Sequence, residues 1–113
     1  MNGKDYTLEY LLDLNGEIVM VEEGHWVCFS IYRINPVRQR PHGIRYSLTL
    51  HDEEGKRVLG YDNAHASYEN KKNDPFDHIH RRKRIKKYDY LNAEKLMEDF
   101  WRDVNHYLKT FEN

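Results

Sequence analysis

The chain has 113 residues, of which 39% are hydrophobic and 33% charged, and its formal net charge at pH 7 is −1. This length suits a single domain, and nine tyrosines, four phenylalanines and two tryptophans supply enough aromatic area for one modest core. No apolar run approaches the roughly 20 residues that a membrane helix needs, so we expect no membrane association. Cys28 has no second cysteine to pair with, and the N-terminus lacks a signal-peptide pattern, so a cytoplasmic protein is expected.

Charge is unevenly distributed along the chain. The balance of basic over acidic residues is −5 for residues 1–32, +7 for residues 33–87 and −3 for residues 88–113. A concentrated basic segment can attract phosphate groups even in a protein that is nearly neutral as a whole, because the local field decides what is attracted. The middle of the chain is therefore where an anionic ligand is expected.

The first predicted elements are strands. Residues 6–14 carry a compact apolar set and end at Asn15-Gly16, a dipeptide typical of tight hairpins, which predicts a strand there and a return strand over residues 18–21. Residues 25–34 alternate over many β-branched and aromatic positions, which predicts a long central strand. Two further predicted strands cover residues 45–50 and 57–61.

The C-terminal segment predicts one long helix over roughly residues 92–110. Asn92 is a good N-cap, and Glu94 lies in the first turn. Apolar residues recur at three- and four-residue steps from Leu96 to Phe111, forming one stripe. The sequence therefore predicts a single α+β domain over residues 1–113. Its parts are an antiparallel meander of four to five strands over roughly residues 6–62, a polar and basic loop over 63–87, and the helix packed on one face of the sheet.

Groups that can move protons are concentrated between Gly60 and Tyr90. Residues 77–80 read D-H-I-H, so in an extended segment the two imidazoles project to the same side. A histidine held by a carboxylate such as Asp62 or Asp77 can act as a general acid or base near neutral pH. The candidate catalytic residues are Tyr61, Asp62, Asp77, His78 and His80.

Two other interpretations of these residues stay open. His78 and His80 have a spacing common among metal ligands, and Asp62 and His65 could complete a set of three or four. No cysteine joins them, and the interpretation that we favour has no cofactor. The structural alternative is that Asp62 and Asn63 cap the end of a strand through side-chain hydrogen bonds, with the histidines in a solvated loop.

A run of six Lys or Arg in seven residues follows, over residues 81–87. Such a run can hold nucleic-acid phosphates or dock an acidic partner surface. In a ribonuclease, arginines would stabilise the charge that develops on phosphoryl oxygens during attack by a 2′-hydroxyl. The candidate nucleic-acid-binding residues are Arg81, Arg82, Lys83, Arg84, Lys86 and Lys87.

The order of these motifs resembles the TumE family of small toxins from toxin–antitoxin systems. The motifs are N-G-E-I-V (15–19), H-G-I-R-Y-S-L (42–48), Y-D-N (61–63), D-H-I-H (77–80) and L-M-E-D-F-W-R-D-V (96–104). The resemblance implies a toxin encoded beside an antitoxin with a helix-turn-helix DNA-binding domain, and action on RNA by analogy with other small toxins. The alternative is a non-catalytic module that binds nucleic acid or protein through residues 81–87. An exposed sheet edge could also form a homodimer.

Overall fold

The computed structural model describes residues 6–38, 41–63, 77–81 and 84–112. Their strands form a six-stranded sheet in which each strand pairs antiparallel with the next along the chain. The elements are α1 (Tyr6–Asp13), β1 (Ile18–Met20), a 3₁₀ turn (Glu22–Gly24), β2 (Trp26–Arg33), β3 (Ile44–His51), β4 (Arg57–Asp62), β5 (His78–Arg81), β6 (Arg84–Lys87) and α2 (Ala93–Glu112). The α+β meander with a C-terminal helix is confirmed.

The sheet has more strands than the four to five that the sequence predicted, because β5 and β6 lie inside the segment that we expected to be a loop. Their histidines, arginines and lysines give no apolar alternation, which is why periodicity missed them. β5 is a strand because it pairs with β4: its residue Ile79 lies opposite Tyr61 and is buried. Strand preference depends on such neighbours as much as on composition.

The prediction of a strand over residues 6–14 was wrong, because residues Tyr6–Asp13 form helix α1. Leu8, Leu11 and Leu12 stand three and four residues apart, so they share one helical face, and Leu11 is fully buried in the core. Gly16 has φ of 85°, which suits the residue after a helix end as well as a hairpin turn. The same dipeptide signal therefore fits both structures.

Helix α2 covers one face of the sheet and completes the core. The backbone N–H of Lys95 donates to Asn92 Oδ1 at 2.8 Å, which confirms the predicted N-cap. Phe100 is fully buried and packs edge-on against Phe29 of β2 and Tyr61 of β4. The buried residues of α2 are Ala93, Leu96, Asp99, Phe100, Val104 and Leu108. Within the described ranges, no helix combines the length and the apolar character needed to cross a membrane.

The other face of the sheet, which we call the polar face, carries different side chains. Successive residues of a strand point to opposite faces, so the neighbours of the core residues on β3, β4 and β5 project away from α2. In the strand register, Asp62 lies between Ser47 of β3 and His78 of β5, and His78 lies opposite Lys87 of β6. The fold thus places a row of polar and ionisable groups across four strands.

Candidate functional site

Asp62, His78 and His80 form a compact cluster on the polar face. The Nε2 atom of His80 is 3.1 Å from Asp62 Oδ2, and the Nδ1 atom of His78 is 3.8 Å from Asp62 Oδ1. The two imidazole ring centroids are 5.8 Å apart. The three side chains are between 10% and 19% exposed, so the cluster is largely buried but still in contact with solvent.

The strand register explains why these residues meet. Asp62 is directly opposite His78, and Gly60 is directly opposite His80, so both imidazoles flank the end of β4. β5 is extended, so His78 and His80 project to the same face, as their spacing predicted. The carboxylate that accompanies them is Asp62. His65, the fourth group considered for a metal set, lies outside the described residues.

Asp77 has a different position from the histidines that follow it. Its Oδ2 accepts a hydrogen bond from the hydroxyl of Tyr46 at 2.7 Å, and its backbone carbonyl accepts one from the N–H of Tyr88 at 2.9 Å. Burial, together with the charge of Asp77 and this hydrogen bond, raises the pKa of Tyr46 far above its ordinary value. Asp77 therefore fixes the start of β5 to the buried part of β3.

Tyr61 projects to the face opposite Asp62, as adjacent residues on a strand must. Its hydroxyl donates to Asp103 Oδ2 of α2 at 2.5 Å. Burial and then this hydrogen bond raise its pKa well above the ordinary tyrosine value. The structure thus separates Tyr61 from the two imidazoles and places it between β4 and α2.

A similar contact joins the chain after β6 to α2. The Tyr88 hydroxyl donates to Asp99 Oδ2 at 2.8 Å, and burial followed by this bond raises the pKa of Tyr88. Burial alone would raise the pKa of Asp99, but hydrogen bonds from Lys95 and Tyr88, together with the charges of Lys95 and Arg102, lower it below its ordinary value. Asp99 is therefore an ionised, buried hydrogen-bond acceptor.

Asn63 provides the strand cap that the sequence suggested. Its Oδ1 accepts the backbone N–H of Tyr46 at 3.0 Å, and its Nδ2 donates to the carbonyl of Ile44 at 2.9 Å. The backbone N–H of Asn63 also donates to the Tyr46 carbonyl. The amide side chain thereby binds backbone groups of the neighbouring strand β3 just beyond the end of β4.

The basic residues divide into several groups. Arg81 forms an ion pair with Asp103 at 2.7 Å, and this hydrogen bond raises the pKa of Arg81. Arg84, Lys86 and Lys87 are exposed on β6, which ends the order of described strands. Arg82 and Lys83 lie outside the described residues. Of the predicted phosphate contacts, Arg81 is thus paired with Asp103, and Lys87 lies 3.6 Å from the exposed carboxylate of Asp89.

Sequence reasoning missed two cations at the start of β4. Lys56 and Arg57 line a cleft of about 730 Å³ together with Arg81 and Arg84. A Cβ placed on Gly60, opposite His80, would lie 3.4 Å from Arg57 Cδ, so the Arg57 stem lies beside that part of β4. In the sequence these two cations stand as a Lys-Arg pair directly after a tight turn. Their position near β6 could be predicted only with the order of the strands.

The fold and the cluster together define a small α+β protein with a His/Asp centre on the polar face of its sheet. A family model described as Toxin TumE matches residues 4–108. This match covers nearly the whole chain, and the protein belongs to the TumE toxin family, as the order of its motifs suggested. No curated protein and no solved structure matches the chain significantly.

Proposed function

We propose that this toxin is one component of a toxin–antitoxin pair and that it cleaves RNA by acid–base catalysis at Asp62, His78 and His80. The observation that carries the proposal is the 3.1 Å contact between His80 Nε2 and Asp62 Oδ2, with a second imidazole beside the same carboxylate. A carboxylate at this distance orients an imidazole for proton transfer. Two imidazoles supply the base and the acid that RNA cleavage requires.

The proposed reaction begins at a ribose 2′-hydroxyl. His80, oriented by Asp62, accepts the hydroxyl proton while the 2′-oxygen forms a bond to phosphorus. The bond from phosphorus to the 5′-oxygen breaks, and protonated His78 donates a proton to that leaving oxygen. The products are a 2′,3′-cyclic phosphate and a 5′-hydroxyl, so protons and bonds balance without a co-reactant.

Cations near the cluster support this assignment. Lys87 lies directly opposite His78 in the β5–β6 pairing, where side chains of paired residues are neighbours. The Arg57 stem lies beside Gly60, the residue of β4 directly opposite His80. Positive groups placed where phosphoryl charge develops stabilise the transition state. An RNA strand that crosses the polar face would find cations on both sides of the imidazoles.

The decisive experiment compares RNA cleavage by the purified protein with cleavage by His80→Ala, His78→Ala and Asp62→Asn variants. Loss of a positioned acid or base should lower the rate by roughly 10²- to 10⁴-fold. His106→Ala, on the exposed side of α2, is the matched control and should keep full activity. Cleavage by all four variants at the wild-type rate, or no cleavage by the wild type, would contradict the catalytic proposal.

The antitoxin partner is tested separately. Expression of this chain alone should arrest growth of a bacterial host, and co-expression of a helix-turn-helix protein encoded beside it should restore growth. The histidine variants should no longer arrest growth but should still bind that partner. A wild-type chain without any effect on growth would contradict the toxin role in that host.

A second candidate function is a non-catalytic module that binds nucleic acid or an acidic protein surface. The observation that favours it is that all four residues of β6, the last of the described strands in the sheet order, are exposed, with Arg84, Lys86 and Lys87 among them. This function predicts salt-sensitive binding without turnover. Neutralising the three cations should abolish that binding, and replacing the histidines should not affect it.

A further inference from the structure

We propose that Asp62, His78 and His80 form a binding site for a divalent transition-metal ion of the zinc class. The inference concerns the same three side chains as the proposed ribonuclease, but it rests on their geometry and not on RNA cleavage. Among the described residues, one ligand atom from each of the three lies within 4.8 Å of the other two. Two imidazoles and one carboxylate are a recurrent ligand set of mononuclear metal centres.

The distances fit a tetrahedral ion. Zinc binds nitrogen and oxygen ligands at about 2.0–2.2 Å, so two ligands of one tetrahedral ion stand about 3.4 Å apart. The distances from the Asp62 carboxylate, 3.1 Å between Oδ2 and His80 Nε2 and 3.8 Å between Oδ1 and His78 Nδ1, lie on either side of that value. One ligand atom of each side chain lies within 4.8 Å of the other two, so side-chain rotations would bring all three donors to one ion without a change in strand register.

The donor types select the class of metal. Magnesium and calcium prefer oxygen ligands, whereas imidazole nitrogen suits zinc, iron, nickel and copper. Two neutral imidazoles and one carboxylate leave one positive charge on a bound divalent ion. Three protein ligands also leave the fourth position for water, which is the arrangement of a catalytic centre and not of a closed structural one.

The scaffold favours a stable site. Both strands that carry the ligands are paired on either side, β4 with β3 and β5, and β5 with β4 and β6. Ligands on paired strands are held more precisely than ligands on loops. The partial exposure of the three side chains gives an ion a route from solvent. The site is thus both positioned and accessible.

Metal binding and the proposed acid–base reaction exclude each other at this site. A ring nitrogen that coordinates an ion is no longer available to bind a proton. A carboxylate of Asp62 that binds the ion no longer orients His80 through their direct contact. Zinc is therefore expected to inhibit metal-free cleavage, and a chelator to restore it. This would make the site responsive to the supply of transition metal.

The direct test measures metal binding to the chelator-treated full-length protein. We expect one zinc ion per chain by calorimetry, and visible cobalt(II) absorption bands of the intensity typical of four-coordinate sites. Replacing Asp62, His78 or His80 by Ala should weaken binding by more than about 100-fold, because loss of outer-shell partners alone costs roughly 10- to 100-fold. His106→Ala, which removes a histidine elsewhere, should bind as the wild type does.

A second measurement does not depend on variants that fold poorly. In ¹⁵N spectra of the wild type, zinc should shift the ring nitrogens of His78 and His80 and leave those of His106 in place. Absence of stoichiometric binding by the folded wild type, or shifts confined to other histidines, would overturn the inference. If the protein bound zinc and cleaved RNA only with zinc bound, the metal site would be supported and metal-free acid–base catalysis would be overturned.

Discussion

Raising the pH above 10 should unfold this protein cooperatively, because Tyr46, Tyr61 and Tyr88 are held neutral by burial. Each has a pKa raised above the ordinary tyrosine value of 10.0. In the unfolded chain they ionise near that value, so above pH 10 the unfolded state binds fewer protons than the folded state. Their contribution to stability is therefore fully present below pH 10 and is lost as the pH rises beyond it.

The magnitude follows from linkage. At pH 11, ionisation of one exposed tyrosine stabilises the unfolded state by about 1.4 kcal/mol, and at pH 12 by about 2.7 kcal/mol. Three tyrosines together remove about 4 kcal/mol at pH 11 and about 8 kcal/mol at pH 12. A domain at the lower end of the usual range, stable by about 5–8 kcal/mol, should therefore have its midpoint of alkaline unfolding between about pH 11 and 12, and a more stable one higher.

The assay records tyrosinate absorbance at 295 nm together with far-ultraviolet circular dichroism. Of the nine tyrosines, these three should ionise only as the secondary structure is lost. A Tyr61→Phe variant should show a shallower alkaline limb of the stability curve, and Tyr32→Phe, which alters an exposed ring, is the matched control. Ionisation of all nine tyrosines while the circular dichroism spectrum stayed native would refute the reasoning.

Three further predictions concern stability. Phe100→Ala should lower the free energy of unfolding by about 3–5 kcal/mol in urea titrations, because a fully buried ring leaves a cavity between α2 and the sheet. Asn92→Ala should lower the free energy of unfolding by about 1 kcal/mol, because it removes the helix cap, whereas Asn92→Asp should keep most of that stability. Asp99 has a lowered pKa, so its contribution is present above its ordinary value of 3.8 and is lost as the pH falls below it. Asp99→Asn should therefore flatten the acid limb of the stability curve.

Each of these has an outcome that would contradict it. A loss below about 1 kcal/mol for Phe100→Ala would mean that the core closes over the missing ring. Equal stability of Asn92→Ala and the wild type would mean that water replaces the cap without cost. An unchanged acid limb in Asp99→Asn would mean that other carboxylates control acid unfolding.

Local signals in the sequence predicted the elements whose structure is decided locally. Helix α2 combines an N-cap at Asn92 with a continuous apolar stripe, and both are present in the structure. Helix α1 was mistaken for a strand, since three leucines and a following Asn-Gly fit either element until packing selects one. Strands β5 and β6 were missed because they are held by pairing, β5 with β4 and β6 with β5, and not by an apolar alternation of their own.

The candidate site was predictable in its residue types but not in its geometry. The D-H-I-H spacing correctly placed both imidazoles on one side, because that follows from strand alternation alone. Which carboxylate joins them depends on register: Asp62 faces His78, whereas Asp77 turns to Tyr46. Tyr61, adjacent to Asp62 in sequence, had to lie on the other face. The position of the Arg57 side chain beside Gly60, opposite His80, likewise depends on the pairing of β4 with β5.

Tyr46 also has a consequence for how this chain can vary in length. Its backbone binds Asn63 and its hydroxyl binds Asp77, so a single residue of β3 holds both ends of the segment between them. Both anchors lie outside residues 64–76, so we expect a change in the number of those residues to keep Asp62 opposite His78 and beside His80.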